Sequence, residues 1–354
     1  MEFGLSCSKV GDVDLVRRAE TLGYDFCWAT DSPMLRSNPW VVLALAAERT
    51  ESIRLGMGVA VPGLRLAPDT ANGIATINRL APGRTFLGIG TGNTAMRTLG
   101  RLPERVKPFG EYIKVLRALL NGEEADLPLD GESHLIRFQN LQLNYIDVEH
   151  YIPIYVGGFG PRAQALAGEL GDGLITGIPR GNTISEALAN ATAGADRAAR
   201  DLNGFHCAAL VNLLMLERGQ TLRSEAVINE VGSAVMANVH YLLERHKETG
   251  EDPPDYVLPI WDEYLAFRKA KASERSHQKL HESHYSYLDP EEARFVTPEI
   301  IENFCIAGEP PELVEKLEAL EQEGLNAMAF IPRDEDKHRL YEEFATRVIA
   351  RVRR

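Results

Sequence analysis

Short apolar runs alternate with amphipathic helical stretches from the start of the chain, and this rhythm limits the possible folds more than any other feature. Residues 1–6 read as a strand, and Asp12 follows as the N-cap of a helix over 13–22. That helix carries Val13, Leu15, Val16, Ala19 and Leu22 on one side and is closed by Gly23. Residues 26–29, 53–61 and 86–89 are further strands, with helices over 39–50 and 70–80 between them. Four such units of about thirty residues each predict a parallel sheet with its helices outside.

The later chain keeps the pattern with two interruptions. After a helix over 108–120, residues 121–151 break step, and the alternation His134, Leu135, Ile136, Arg137, Phe138 predicts a hairpin insertion after strand four. Strands over 152–156, 173–176 and 205–216 resume the series, with helices over 163–170 and 182–202. From Thr221 to about Pro298 the periodicity is helical, without a strand pattern, which predicts a cap over one mouth ahead of the last strand at 327–331 and a closing helix over 339–353. Eight or nine strands fit an α/β fold closed as a (β/α)₈ TIM barrel, one domain over 1–354 with the helical cap inserted at about 221–298.

Composition narrows the function. With 44% hydrophobic and 25% charged residues the chain is neither fibrous nor disordered, and a net charge of -13 argues against nucleic acid or an anionic membrane as a partner. Cys7, Cys27, Cys207 and Cys305 form no C-x-x-C, so neither a zinc knuckle nor a disulfide framework is indicated. Without a leader or a membrane-spanning run, the expectation is a complete cytoplasmic enzyme acting on a small molecule.

In a barrel of this type the site lies at the carboxyl ends of the strands. There the sequence delivers Asp31 and Ser32, then Gly58 and Val59, then Gly90, Thr91, Gly92, Asn93 and Arg97, then Gly157, Gly158, Phe159, Gly160, Pro161 and Arg162. The glycines of FLGIGTGNTAMRTLG, residues 86–100, let a flat ligand approach the backbone, and Thr91, Asn93, Thr94 and Arg97 offer donors to a phosphate or a polar ring edge. A third glycine is missing, so this is not the dinucleotide fingerprint, and G-x-G-x-G also serves at plain strand-to-helix turns. Asp31 has two readings, a helix cap or a cofactor contact; Arg97 reads as an anion partner or a surface residue, and Arg162 as an anion partner. Trp28 and Tyr112 read as core, and Cys7 as inert.

Several of these segments in succession resemble the luciferase-like monooxygenase superfamily, the bacterial luciferase family, and within it the proteins named after F420-dependent methylenetetrahydromethanopterin reductase. The resemblance lies in Leu22-Gly23-Tyr24-Asp25 before Trp28-Ala29-Thr30-Asp31, in Arg54 to Val59, in Arg84 to Gly90, in Pro153 to Gly158, in Gly160-Pro161-Arg162 with Ala167-Gly168-Glu169, and in Gly171-Asp172-Gly173. It implies Asp31 beside the isoalloxazine and, at Gly58-Val59, a bulge with a cis bond against the middle of the ring. It also implies Gly90 to Asn93 and Gly157 to Pro161 along the ring edge, ribityl chain and phosphate. Ser32 stands where F420-dependent dehydrogenases of this type often have His, and Asn93 where they often have an acid. A serine with no base cannot take a proton from an alcohol at neutral pH, so alcohol oxidation is the least supported chemistry.

Three functions follow from the resemblance. The favoured one is an FMN enzyme that oxygenates a small organic substrate with reduced flavin and O2, fed by a separate flavin reductase. The alternative is an F420 enzyme passing hydride to or from the deazaflavin, and the third is a flavin-binding barrel without catalysis. Relatives imply a homodimer. In SHQKLHESHYSY the histidines 277, 281 and 284 fall on one side of an ideal helix; with no H-E-x-x-H or carboxylate pattern no metal is expected, and His284 and Tyr285 are read as covering the substrate.

Overall fold

The computed structural model describes residues 1–179 and 183–353. Eight parallel strands close into a barrel: β1 (Glu2–Cys7), β2 (Phe26–Ala29), β3 (Arg54–Ala60), β4 (Thr85–Ile89), β5 (Ile154–Gly157), β6 (Gly173–Ile178), β7 (His206–Val211) and β8 (Ala327–Phe330). They run in sequence order around the ring, and β8 pairs with β1 through the register Glu2 with Ala327 to Leu5 with Phe330. Both faces of the strands are buried, which is why they read as continuous apolar runs. One set of side chains, including Phe3, Leu5, Leu55, Met57 and Leu87, packs under the outer helices. The other, including Phe26, Trp28, Phe86, Tyr155 and Ile175, fills the barrel interior. Large rings fit there because glycines face them: a Cβ on Gly4 would lie 2.0 Å from the Phe26 ring, and one on Gly56 2.4 Å from Phe86.

The hairpin insertion is present as strands Ala125–Leu129 and Glu132–Ile136, paired antiparallel between β4 and β5. The expected strand over 205–216 is two strands. β7 ends at Val211, and Asn212 turns the chain out of the barrel, its side-chain amide donating to the Phe304 carbonyl at 2.9 Å. Leu213–Met215 then pairs with Ile306–Gly308, so a short parallel ladder clasps the two ends of the cap. Periodicity does not reveal this break, because apolar residues flank Asn212 on both sides. Between the clasped ends lie helices Glu225–Thr249, Leu258–Ala270 and Pro298–Phe304, packed on a core of their own around Val235, Val239, Trp261, Tyr264, Phe295 and Ile301.

Asp12 stands at the N-cap position of helix Val13–Leu22 as expected, but its side chain makes no capping bond to that helix. Its buried carboxylate accepts from the Ser8 and Lys9 amides (2.8 and 3.2 Å) and from the Lys337 ammonium at 2.9 Å, tying the end of β1 to the closing helix. The expected helix over 182–202 is observed as Ile184–Arg197, capped by Thr183 with Glu186 three residues on; Asn182 lies outside the described residues.

That helix meets the preceding one, Pro161–Leu170, backbone to backbone. A Cβ on Gly168 would lie 1.8 Å from the Ala191 carbonyl oxygen, and one on Gly194 1.8 Å from that of Ala165. Helix propensity alone favours alanine over glycine by about 0.8–1.0 kcal/mol. Overpacking at a rigid crossing opposes this by about 1–3 kcal/mol and should win. Gly194→Ala is therefore expected to lower the urea midpoint. Gly160→Ala, where a Cβ meets nothing within 4 Å, should stay within about 0.5 kcal/mol of the parent. Equal midpoints for the two variants would contradict the close crossing.

Candidate active site

The carboxyl ends of β2, β3 and β4 and the overlying cap enclose a cavity of about 190 Å³. Asp31 leaves β2 with its side chain fully buried, and its two oxygens meet the two terminal nitrogens of Arg65 in a forked pair, Nη2 to Oδ1 at 3.0 Å. Arg65 follows the turn Pro62–Leu64 after β3, and its guanidinium lies over the Trp40 ring at 5.8 Å. Tyr112 donates to the Arg65 carbonyl at 3.1 Å and shares a 2.8 Å hydrogen bond with Thr70, fixing the same loop from behind. Burial lowers the Arg65 pKa, but the hydrogen bond and charge of Asp31, with Asp69 and Tyr112 adding, outweigh this and leave it raised. Burial pushes the Tyr112 phenol up to about 12. Asp31 is thus no helix cap; Asn38 performs that task for helix Pro39–Arg49, accepting from Trp40 N at 3.0 Å.

At the end of β3 the ladder to β4 shifts register between Met57 and Ala60, and the Gly58–Val59 peptide is cis. A Cβ on Gly58 would lie 2.5 Å from the Trp28 ring, so the interior ring beneath dictates glycine there. Val59 is in turn crowded by β4 and β5, with a Cβ on Gly90 falling 2.8 Å from its Cγ2 and one on Gly157 3.5 Å from its Cγ1. After β4, Gly92 adopts φ 81° and a Cβ on it would meet Val61 at 2.2 Å, so it is glycine on both counts. The one-turn helix Asn93–Arg97 follows.

The cap supplies the opposite wall. Ala237 and Tyr241 line it from helix Glu225–Thr249, and His284 and Tyr285 from the loop beyond Ser276–Lys279. His284 Nε2 is 3.3 Å from the Thr94 hydroxyl, while Tyr285, at φ 53°, donates its phenol to Asn212 Oδ1 at 3.2 Å. Arg97 joins the cap to the barrel: its Nε is 2.7 Å from Asn93 Oδ1 and 2.9 Å from Glu244 Oε2, and a terminal nitrogen meets Glu248.

Of the residues expected at the site, Asp31, Ser32, Gly58, Val59, Gly92, Asn93, Phe159, His284 and Tyr285 line this cavity. Gly90, Thr91, Arg97, Gly157, Gly158, Gly160, Pro161 and Arg162 are not among its lining residues. Arg97 is occupied by cap carboxylates, so it is an anchor; Arg162 is exposed at the start of its helix. Gly158 owes its identity to that helix, since a Cβ would lie 2.9 Å from the Ala163 and Gln164 backbone. The histidines do not share a face: Ser276–Lys279 is a single turn, His281 binds Glu244 Oε1 at 3.0 Å, and His277 lies beside Gly100. Among the described residues no His, Cys, Asp or Glu cluster could hold a metal. Arg65, Arg36, Ser8 and Tyr241 were not anticipated. Arg65 and Arg36 follow strand ends, a position that could have flagged them, whereas Tyr241 lies mid-helix in the cap and gives no such signal.

A backbone bulge and glycine floor, apolar flanks at Val59, Val61, Leu210 and Ile331, and a few polar groups at one edge fit a flat heteroaromatic ring. Residues 12–327 match the family model described as luciferase-like monooxygenase, and the chain belongs to that family. It is 29% identical over 342 residues, 96% of the chain and 94% of the relative, to the 5,10-methylenetetrahydromethanopterin reductase of Archaeoglobus fulgidus. It is 36% identical over 198 residues, 52% of the chain and 53% of the relative, to the F420-dependent hydroxymycolic acid dehydrogenase of Mycobacterium tuberculosis. The fold matches the coenzyme F420 dependent tetrahydromethanopterin reductase of Methanopyrus kandleri with a TM-score of 0.72 at 22% identity over 99% of both chains. Among the described residues no helix is long and apolar enough to cross a membrane.

Removing one partner of a buried ion pair leaves the other charge uncompensated, at roughly 3–5 kcal/mol. Arg65→Met should therefore destabilise by about that amount in urea unfolding, and adding Asp31→Asn should recover more than about 1 kcal/mol of it. Strict additivity of the two changes would show that the groups do not depend on each other.

Proposed function

We propose that the protein is an F420-dependent reductase that delivers hydride to an electron-poor, unsaturated carbon of a small molecule. The observation that carries this reading is the state of the acid–base groups at the cavity. Its one lining carboxylate among the described residues, Asp31, is locked in the Arg65 fork, and the two positions that would pair to take an alcohol proton are Ser32 and Asn93. Reduction of a C=N or C=C bond needs no base acting on the substrate. The likeness to a methylenetetrahydromethanopterin reductase along nearly the full length supports the same direction, and the F420-dependent relative supports the deazaflavin over FMN.

In this reading Gly58, Val59 and Gly92 form the floor for the ring, Phe159 flanks it, and the Asp31–Arg65 pair fixes the edge at which Ser32 presents its hydroxyl. Bound F420 supplies the hydride from its deazaflavin carbon without oxygen. Thr94 and Tyr285 hold the cap wall closed over the site, through His284 and Asn212 respectively, and so exclude water from the transfer.

Fluorescence titration separates the cofactors. F420 is expected to bind at least about tenfold more tightly than FMN, a difference of about 1.4 kcal/mol, and the protein with reduced FMN should consume no oxygen above background. Tight FMN binding with oxygen uptake would replace this reading with the monooxygenase; binding of either ring without turnover on any unsaturated substrate would favour a carrier.

A further inference from the structure

The inner cavity shares Ser8, Leu35, Arg36, Tyr285 and Ile331 with a second, outer cavity of about 710 Å³ at the β1, β2 and β8 side of the mouth. Charged groups crowd this outer space, and all but one are matched. Lys337 is paired with Asp12 at 2.9 Å, Lys9 with Asp334, and Glu335 with Arg333 at 3.6 Å. Arg36 is the remainder. It stands in the wall common to both cavities, and its guanidinium donates only to neutral acceptors: Ser286 Oγ at 2.7 Å, the His284 carbonyl at 2.6 Å and the Leu35 carbonyl at 3.3 Å. Among the described residues no carboxylate pairs with it.

A half-buried cation without a counter-charge is unfavourable unless something completes it. Burial indeed draws the Arg36 pKa down, with Asp334 and Asp12 only partly opposing this from a distance. The three neutral contacts hold the guanidinium in place and take both Nη1 hydrogens and one on Nη2, which leaves the Nε hydrogen and the second Nη2 hydrogen for a carboxylate or phosphate. Its contacts to Ser286 and His284 also bind the cap loop, so an anion arriving here would reinforce the wall that covers the inner cavity.

We propose that Arg36 is an anion seat at the junction of the two cavities, and that the substrate is an anionic molecule whose carboxylate or phosphate rests there while its unsaturated carbon enters the inner cavity. This rests on reading the inner cavity as the place of the ring and the reaction. The outer cavity lies within the range of about 300–1,000 Å³ usual for ligand sites, so it has room for the anionic end of such a molecule beside the guanidinium.

The test is calorimetric titration of inorganic phosphate and of acetate into the full-length protein, with and without F420, for wild type, Arg36→Met and Arg36→Lys. Wild type should bind at least one of the two anions, undiminished by F420. Arg36→Met should weaken that binding by about tenfold or more while leaving F420 affinity within about twofold, and Arg36→Lys should retain most of it. The better-bound anion assigns the substrate group as phosphate or carboxylate. Anion affinity that is absent in wild type or equal in wild type and Arg36→Met would overturn the proposal. So would expulsion of the anion by F420, or a loss of F420 affinity in Arg36→Met, either of which gives the guanidinium to the cofactor. Failure of F420 to bind any variant would sink the reductase reading alone, since the anion titration of the cofactor-free protein still reports on Arg36.

Discussion

The forked pair of Asp31 and Arg65 sets the geometry of the mouth, because it joins the end of β2 to the loop after β3 at a point where neither charge is well solvated. A buried pair of this kind is weak evidence for stability, since the desolvation of both groups offsets most of their attraction. Its value is directional. Two parallel hydrogen bonds permit one arrangement of the two loops, and Trp40 under the guanidinium with Tyr112 behind its carbonyl remove the remaining freedom. The site floor is fixed by shape in the same way. Trp28 forbids a side chain at 58, Val61 forbids one at 92, and Val59 wedges against β4 and β5.

The second wall is attached by charge. Arg97 spans from the first turn after β4 to Glu244 and Glu248 on the cap helix, and His281 approaches Glu244 from the cap's own loop. The cap has a separate hydrophobic core, so these polar links, with Thr94 to His284 and Arg36 to the 284–286 loop, decide how that body sits on the barrel. Site and cap are therefore one mechanical unit. A change at Arg97 would act on the cavity without touching it.

Much of the fold was legible in the sequence, because each βα unit repeats a strong signal: a doubly buried apolar strand, then an amphipathic helix. The hairpin and the cap were legible as breaks in that repeat. What misled was local chemistry with more than one use. Asp12 does stand at the cap position, but the amides of Ser8 and Lys9 and the sequence-distant ammonium of Lys337 claim its carboxylate. Gly158 looks like room for a ligand, but it is room for the next helix. Arg97 looks like a phosphate partner, and its two carboxylates come from residues nearly 150 positions later. The three histidines share a face only on an ideal helix, and the chain there makes one turn before changing direction. That Asp31, Gly58, Val59 and Gly92 would meet at one cavity was legible because strand ends in a closed barrel have nowhere else to converge. The preference for FMN rested on Ser32 and Asn93 alone; the same two residues are as compatible with hydride transfer to an unsaturated substrate, and the relatives favour F420.

Amide hydrogen exchange with and without F420 tests most directly that the ring occupies the space between the β3 bulge and the cap. Slowed exchange is predicted at residues 58–61, 92–94 and 284–286, from both walls together, with the hairpin Ala125–Leu129 and Glu132–Ile136 unchanged. Protection confined to the hairpin or to the outer helices, with residues 58–61 and 92–94 exchanging as before, would contradict the placement of the site.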